Sequence, residues 1–155
     1  MVTAPANSLS RYLPLFEKLQ KKTVLDYGSG NLRNAIYLHG RGYRVYAVDL
    51  PDRIKDITLP RLSFLFVDEL KDFSLDVDIA LCTFVLNLID SDKRTEVMDT
   101  IAANMARGGY FLVETREFTI KELDLLIVPK GFVRVHEQRG RYTIIALYRY
   151  LGVYH

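Results

Sequence analysis

A doubly wound α/β fold is predicted for this 155-residue chain: one mostly parallel, seven-stranded sheet, helices on both faces, and an antiparallel hairpin at the C-terminal end. Three observations predict it. Short apolar runs alternate with segments of helical period from Thr23 onward. A glycine turn, Gly28–Ser29–Gly30, falls between the first such run and the helix after it. The last two runs are separated only by Arg139–Gly140–Arg141, too short for a crossover, so they must pair antiparallel.

Met1–Asn7 is small, polar and Pro-containing, which suits a frayed terminus. S-L-S-R-Y-L-P-L-F-E-K-L-Q-K-K offers Ser8 or Ser10 as an N-cap and sets Leu9, Tyr12, Leu13, Phe16 and Leu19 at helical spacing, which predicts a short helix interrupted by Pro14. Residues 1–22 then form an N-terminal helical cap and residues 23–155 the main domain. T-V-L-D-Y is the first strand, N-L-R-N-A-I-Y-L-H-G-R-G a helix closed by Gly40 or Gly42, and Y-R-V-Y-A-V-D-L the second strand. A turn at Pro51–Asp52 and a weakly helical segment lead to the third strand, which ends in Val67–Asp68–Glu69. D-V-D-I-A-L-C-T-F is the fourth; a Ser91-capped helix follows, with Gly108 beyond its end, and Y-F-L-V-E-T is the fifth. After a helix over Thr119–Pro129, Phe132–Gln138 and Tyr142–Tyr150 make the hairpin.

Twenty-one Lys and Arg against 19 Asp and Glu, with 49% hydrophobic residues, describe one ordinary compact domain with a full core. The single cysteine, Cys82, excludes a disulfide framework and a zinc ribbon, and lies in an apolar strand as a core residue. No leader pattern opens the chain, and Ile79–Ile89, the longest uncharged apolar stretch, is too short to span a bilayer. A soluble, cytoplasmic protein with no membrane partner is expected. A net charge of +2 does not indicate nucleic-acid binding, and three dispersed histidines indicate no metal site.

The glycine turn lies where a doubly wound sheet places its ligand crevice. Gly28 and Gly30 permit a sharp turn and a close approach of ligand to backbone. A pyrophosphate-binding turn would carry a third glycine at residue 33, which is Arg33, and Asp26 inside the turn would repel phosphate. The expected ligand is therefore zwitterionic or cationic rather than a dinucleotide. Asp49 ends the second strand nineteen residues beyond Gly30, where such folds place an acid for ribose hydroxyls. Val67 is placed to flank an adenine face, and Asp68 to accept from its amine.

With these stations in order, the chain resembles the class I, Rossmann-like S-adenosylmethionine-dependent methyltransferases from about Val24 to Tyr150. D-Y-G-S-G-N is similar to that family's first motif, Asp49 to its ribose acid, V-D-E to its adenine station, D-I-A-L-C-T-F-V-L-N-L-I to its fourth motif, and A-R-G-G-Y-F-L-V-E to the segment entering strand five. The closing hairpin resembles the family's reversed seventh strand. The resemblance implies an enzyme using S-adenosylmethionine, held by Asp26, Tyr27, Gly28, Gly30, Asn31, Asp49, Leu50, Val67, Asp68, Glu69, Thr83 and Phe84. No D-P-P-Y or N-P-P-Y of the amino-directed nucleic-acid enzymes follows strand four.

Toward the substrate, Tyr12 in the N-terminal helix and Asn87, Glu114, Arg116, Arg139 and Arg141 near the C-terminal edges of strands are the polar groups expected to reach the acceptor. Glu114 and Asn87 are the catalytic candidates, with Glu114 the better base, whereas His39 and His136 are read as structural. Small molecule, protein side chain and RNA all remain open as methyl acceptor, as does a homodimer or a partner subunit. The rival readings are a catalytically silent cofactor-binding or scaffold subunit and, disfavoured by Arg33 and the hairpin, an NAD-dependent oxidoreductase.

Overall fold

The computed structural model describes residues 4–52 and 58–153. In chain order the elements are α1 (Asn7–Lys18), β1 (Thr23–Tyr27), α2 (Arg33–Gly40), β2 (Arg44–Asp49), β3 (Leu62–Phe66), α3 (Val67–Leu70), β4 (Val77–Thr83), α4 (Arg94–Ala103), β5 (Met105–Thr115), α5 (Ile120–Ile127), β6 (Phe132–Arg139) and β7 (Ile144–Tyr150). The strands form one seven-stranded sheet in the order β3-β2-β1-β4-β5-β7-β6. Pairs from β3 to β5 are parallel, and β7 runs antiparallel to both β5 and β6. This is the predicted architecture. The weakly helical segment after Pro51–Asp52 falls largely on residues 53–57, outside the described residues.

Two hydrophobic layers sandwich the sheet. Leu9, Tyr12, Leu13 and Phe16 of α1 and Ala35 and Leu38 of α2 pack on Val24, Ile79, Leu81, Leu112 and Leu147. On the opposite face, Met98 and Ile101 of α4 and Leu123 and Ile127 of α5 pack on Leu25, Ala80, Phe111 and Tyr148. Each fully buried large side chain contributes about 1.5–3 kcal/mol, so α1 is bound into the core as firmly as any other helix.

Several local expectations are corrected. Helix α1 runs unbroken through Pro14, because the carbonyl that Pro14 leaves without a donor belongs to the exposed Ser10 and faces water. Neither Ser8 nor Ser10 caps it; Ala6 is the N-cap residue, and tertiary acceptors satisfy the first turn. The Ser91 cap is also absent: residues 91–93 are turns and α4 begins at Arg94, whose Nε donates to the Leu86 and Ile89 carbonyls at 3.1 and 3.0 Å. The third strand stops at Phe66, so Val67, Asp68 and Glu69 lie in α3. Gly108 lies inside β5 rather than beyond a helix. Its φ of 83°, and the crowding an added Cβ on Gly109 would meet from the Asp78 and Ala106 carbonyls at 2.9 Å, mark the irregularity where β4 and β5 shift register. The hairpin turn spans residues 140–143, longer than expected, closed by Gly140 N–H donating to the Thr143 carbonyl at 2.8 Å.

Candidate active site

Parallel strands bring the ends of β1, β2, β3, β4 and β5 to one edge, and the β6–β7 turn opens on that edge because Arg139 pairs with Ile144 and Ile144 with Thr115. The chain leaving β1 stays on β2: Gly28 N–H and Ser29 N–H both donate to the Val48 carbonyl, at 2.7 and 3.0 Å. Asp49 then fastens the turn, its Oδ2 accepting from Gly30 N–H at 2.7 Å and its Oδ1 from Leu50 N–H at 2.8 Å. Each carboxylate oxygen keeps a lone pair for a further donor.

The two glycines serve different ends. A Cβ on Gly28 would collide with Val85 of the loop after β4, so at this position it is the chain's own packing, not ligand space, that forbids a side chain. At Gly30 (φ 52°) the nearest atom to an added Cβ is the Gly28 carbonyl oxygen at 3.9 Å, which leaves that side of the turn open to close approach. Asn31 accepts from Arg33 N–H at 3.2 Å, and Leu32 (φ 67°) turns the chain into α2.

Asp26 is 2% exposed and its Oδ2 is buried with no hydrogen-bond partner among the described residues. Burial, reinforced by the Asp49 charge and opposed by Arg33, pushes its carboxyl up to about 7. Beside it, burial pushes the Tyr27 phenol up to about 12. An orphaned buried carboxylate oxygen, a second acid with spare lone pairs and an open glycine form a donor-seeking, anionic cradle. That cradle suits a ligand with hydroxyls and positive charge, as S-adenosylmethionine has, and is wrong for pyrophosphate. Toward β3, Val67 is half-buried and Asp68 exposed, while Glu69 accepts from Phe66 N–H at 2.9 Å and so caps α3.

On the acceptor side, the polar groups divide between the two faces of the sheet. Glu114 (5% exposed) shares its face with α1, and its Oε1 accepts from Ser8 N–H at 3.2 Å. Asn34 accepts from Ala6 N–H at 2.8 Å and donates to Thr83 Oγ1 at 3.4 Å, so the start of α1 is pinned over Glu114 and Thr83. Asn87, by contrast, accepts from Thr115 Oγ1 at 3.2 Å. Thr115 follows Glu114 in the strand and points to the other face, so the two catalytic candidates are not brought together. Nothing in the spacing showed the Ser8 contact, which spans 106 residues. Tyr12 hydrogen-bonds His136 through its hydroxyl, which ties α1 to β6. Phe84 adopts φ 56° and supports the Arg116 guanidinium 5.2 Å above its ring. Arg139 pairs with Glu137 at 3.5 Å, while Arg141 stands over Tyr142.

No curated protein matches the chain. Among solved structures, it resembles a Burkholderia thailandensis 1,6-didemethyltoxoflavin-N1-methyltransferase, solved with bound 1,6-didemethyltoxoflavin and S-adenosylhomocysteine, at 24% identity and a TM-score of 0.75, covering 92% of this chain and 77% of that one. Human N-acetylserotonin methyltransferase, solved with S-adenosylmethionine, gives 16% identity and a TM-score of 0.73, with 94% of this chain but only 52% of that enzyme covered. A TehB-like methyltransferase from Corynebacterium glutamicum gives 16% and 0.76, covering 88% and 85% of the two chains. These likenesses fix the fold. The sequence itself matches the methyltransferase domain family over residues 3–147, from before α1 into β7. The chain therefore belongs to that family, with a class I fold and S-adenosylmethionine as the family's methyl donor.

Proposed function

We propose that the edge formed by β1, β2 and β4 holds S-adenosylmethionine, and that methyl transfer to an acceptor takes place between the loops after β4 and β5 and the start of α1. The observation that carries this reading is the unpartnered Asp26 Oδ2 beneath a glycine turn strapped by Asp49. When bound, S-adenosylmethionine supplies a methyl carbon that an acceptor lone pair attacks in line, the S–CH3 electron pair returning to sulfur. The chain's task is alignment and exclusion of water. Gly30 lets the ligand approach the backbone, Asp49 takes the ribose hydroxyls, and Val67 with Asp68 flanks the base. Among the described residues Glu114 is the buried carboxylate on the acceptor side placed to take a proton, and Thr83 with Phe84 forms the floor. The single buried thiol suits a reducing, cytoplasmic setting. Among the described residues no helix is long and apolar enough to cross a membrane.

The Asp26 carboxyl sets a pH dependence. Its folded value, about 7, lies above the ordinary 3.8, so between these values the folded chain holds a proton that the unfolded chain lacks. Stability contributed by Asp26 is thus greatest at low pH and declines as pH rises toward 7. A cationic ligand favours the ionised form, so its affinity runs the other way. S-adenosylhomocysteine, which keeps the ammonium, is expected to bind up to about tenfold more weakly at pH 6 than at pH 8. Titration calorimetry should show Asp26→Asn abolishing the difference; a slope that persists in the variant assigns it to another group.

Direct transfer is tested at Cys82, which is fully buried and whose thiol burial pushes up to about 12. In an acceptor screen with labelled methyl donor, Cys82→Ala should turn over like the parent. Loss of turnover with donor affinity and melting temperature unchanged would instead show a covalent route.

A further inference from the structure

At the far end of the same edge lies an open cavity of about 580 Å³, lined by Arg116, Glu117, Arg141, Tyr142 and Thr143. Its size falls within the range of small-molecule sites, about 300–1,000 Å³. Arg116 leaves β5 and Arg141 sits in the β6–β7 turn, so separate segments bring two guanidinium groups to one hollow. Neither has a carboxylate within salt-bridge distance among the described residues. Both guanidinium carbons lie over aromatic rings, Arg116 over Phe84 at 5.2 Å and Arg141 over Tyr142 at 5.3 Å from the ring centroids, which restrains the forks that suit a carboxylate or phosphate. Phe84 and Glu117 hold φ values of 56° and 62°, so both loops keep a conformation costly for side chains of that size. Phe84 also follows Thr83, which connects this hollow to the donor site.

We infer that this cavity recognises the methyl acceptor, and that the acceptor is a small planar acid whose carboxylate or phosphate is taken by Arg116 and Arg141. The inference rests on reading this edge as the methyl-transfer site. Tyr142, 73% exposed, offers a ring face to the body of such a molecule. Glu117, the one acid on the wall, suits a hydroxyl or amine donor on it. A hollow of this size with one acid among two arginines does not form the long basic track that RNA needs.

The test uses the full chain, first titrated with S-adenosylhomocysteine and then, saturated with it, with 4-hydroxybenzoate, phenyl phosphate and the uncharged match phenol, by ligand-observed NMR. The acids should bind at least about tenfold more tightly than phenol, and Arg116→Gln and Arg141→Gln should each weaken them about tenfold or more. Arg44→Gln, at the opposite edge of the sheet, should change nothing. Equal binding of acids and phenol overturns the inference, as does indifference to both arginine variants. A twelve-nucleotide single-stranded RNA that outcompetes the acids and loses binding in the same variants overturns it in favour of RNA. S-adenosylhomocysteine binding is read first, so its absence counts against the donor site alone, while acid binding that still depends on the arginines upholds the recognition site.

Discussion

Glu114→Gln is expected to lower turnover about a hundredfold to ten-thousandfold while leaving S-adenosylhomocysteine affinity and melting temperature near those of the parent. The glutamine oxygen still accepts from Ser8 N–H, so the start of α1 stays in place and only the proton acceptor is lost. Glu114→Ala removes both functions. It leaves a buried N–H without a partner, at a cost of about 1–3 kcal/mol, and frees the segment that Asn34 and Glu114 pin together. Steady-state rates and melting curves for the pair therefore separate the two roles. If the Gln variant turns over like the parent and only the Ala variant fails, Glu114 is a clamp on α1 and not a base.

Asp49→Ala is expected to weaken S-adenosylhomocysteine tenfold to a hundredfold, about 1.5–3 kcal/mol, by titration calorimetry. Its carboxylate straps Gly30 and Leu50 and, in the proposed donor site, accepts from the ribose hydroxyls, so the variant is expected to lose the binding surface and the shape of the turn together. Asp49→Asn keeps one acceptor oxygen and should fall between Ala and the parent. Unchanged affinity in Asp49→Ala would remove this residue from the donor site.

The fold was legible because it rests on local rules. Alternating periods separate strands from helices, and a three-residue link between two long strands admits only a hairpin. The position of Asp49, at the end of β2 beside the glycine turn, was legible for a similar reason: the distance from such a turn to the end of the next parallel strand is set by one helix and one strand. What escaped depends on contacts distant in sequence. Glu114 meets Ser8, Asn87 meets Thr115, and Val85 closes over Gly28, none of which any spacing encodes. Gly108 was misread because a glycine after a helical stretch looks the same whether it ends the helix or relieves a register shift. The caps expected at Ser8 or Ser10 and at Ser91 failed where groups elsewhere in the fold satisfied the helix starts or postponed them. Arg116 and Arg141 were each placed near the edge, but their convergence with Tyr142 on one hollow comes from the pairing of β5 with β7.

Native mass spectrometry of the purified chain, incubated in parallel with S-adenosylhomocysteine and with NADH, tests most directly whether the glycine turn and its two acids form a methyl-donor site. One S-adenosylhomocysteine per chain, with NADH leaving the chain free, is the predicted result. A chain that ignores S-adenosylhomocysteine, or takes up NADH in its place, would contradict the account.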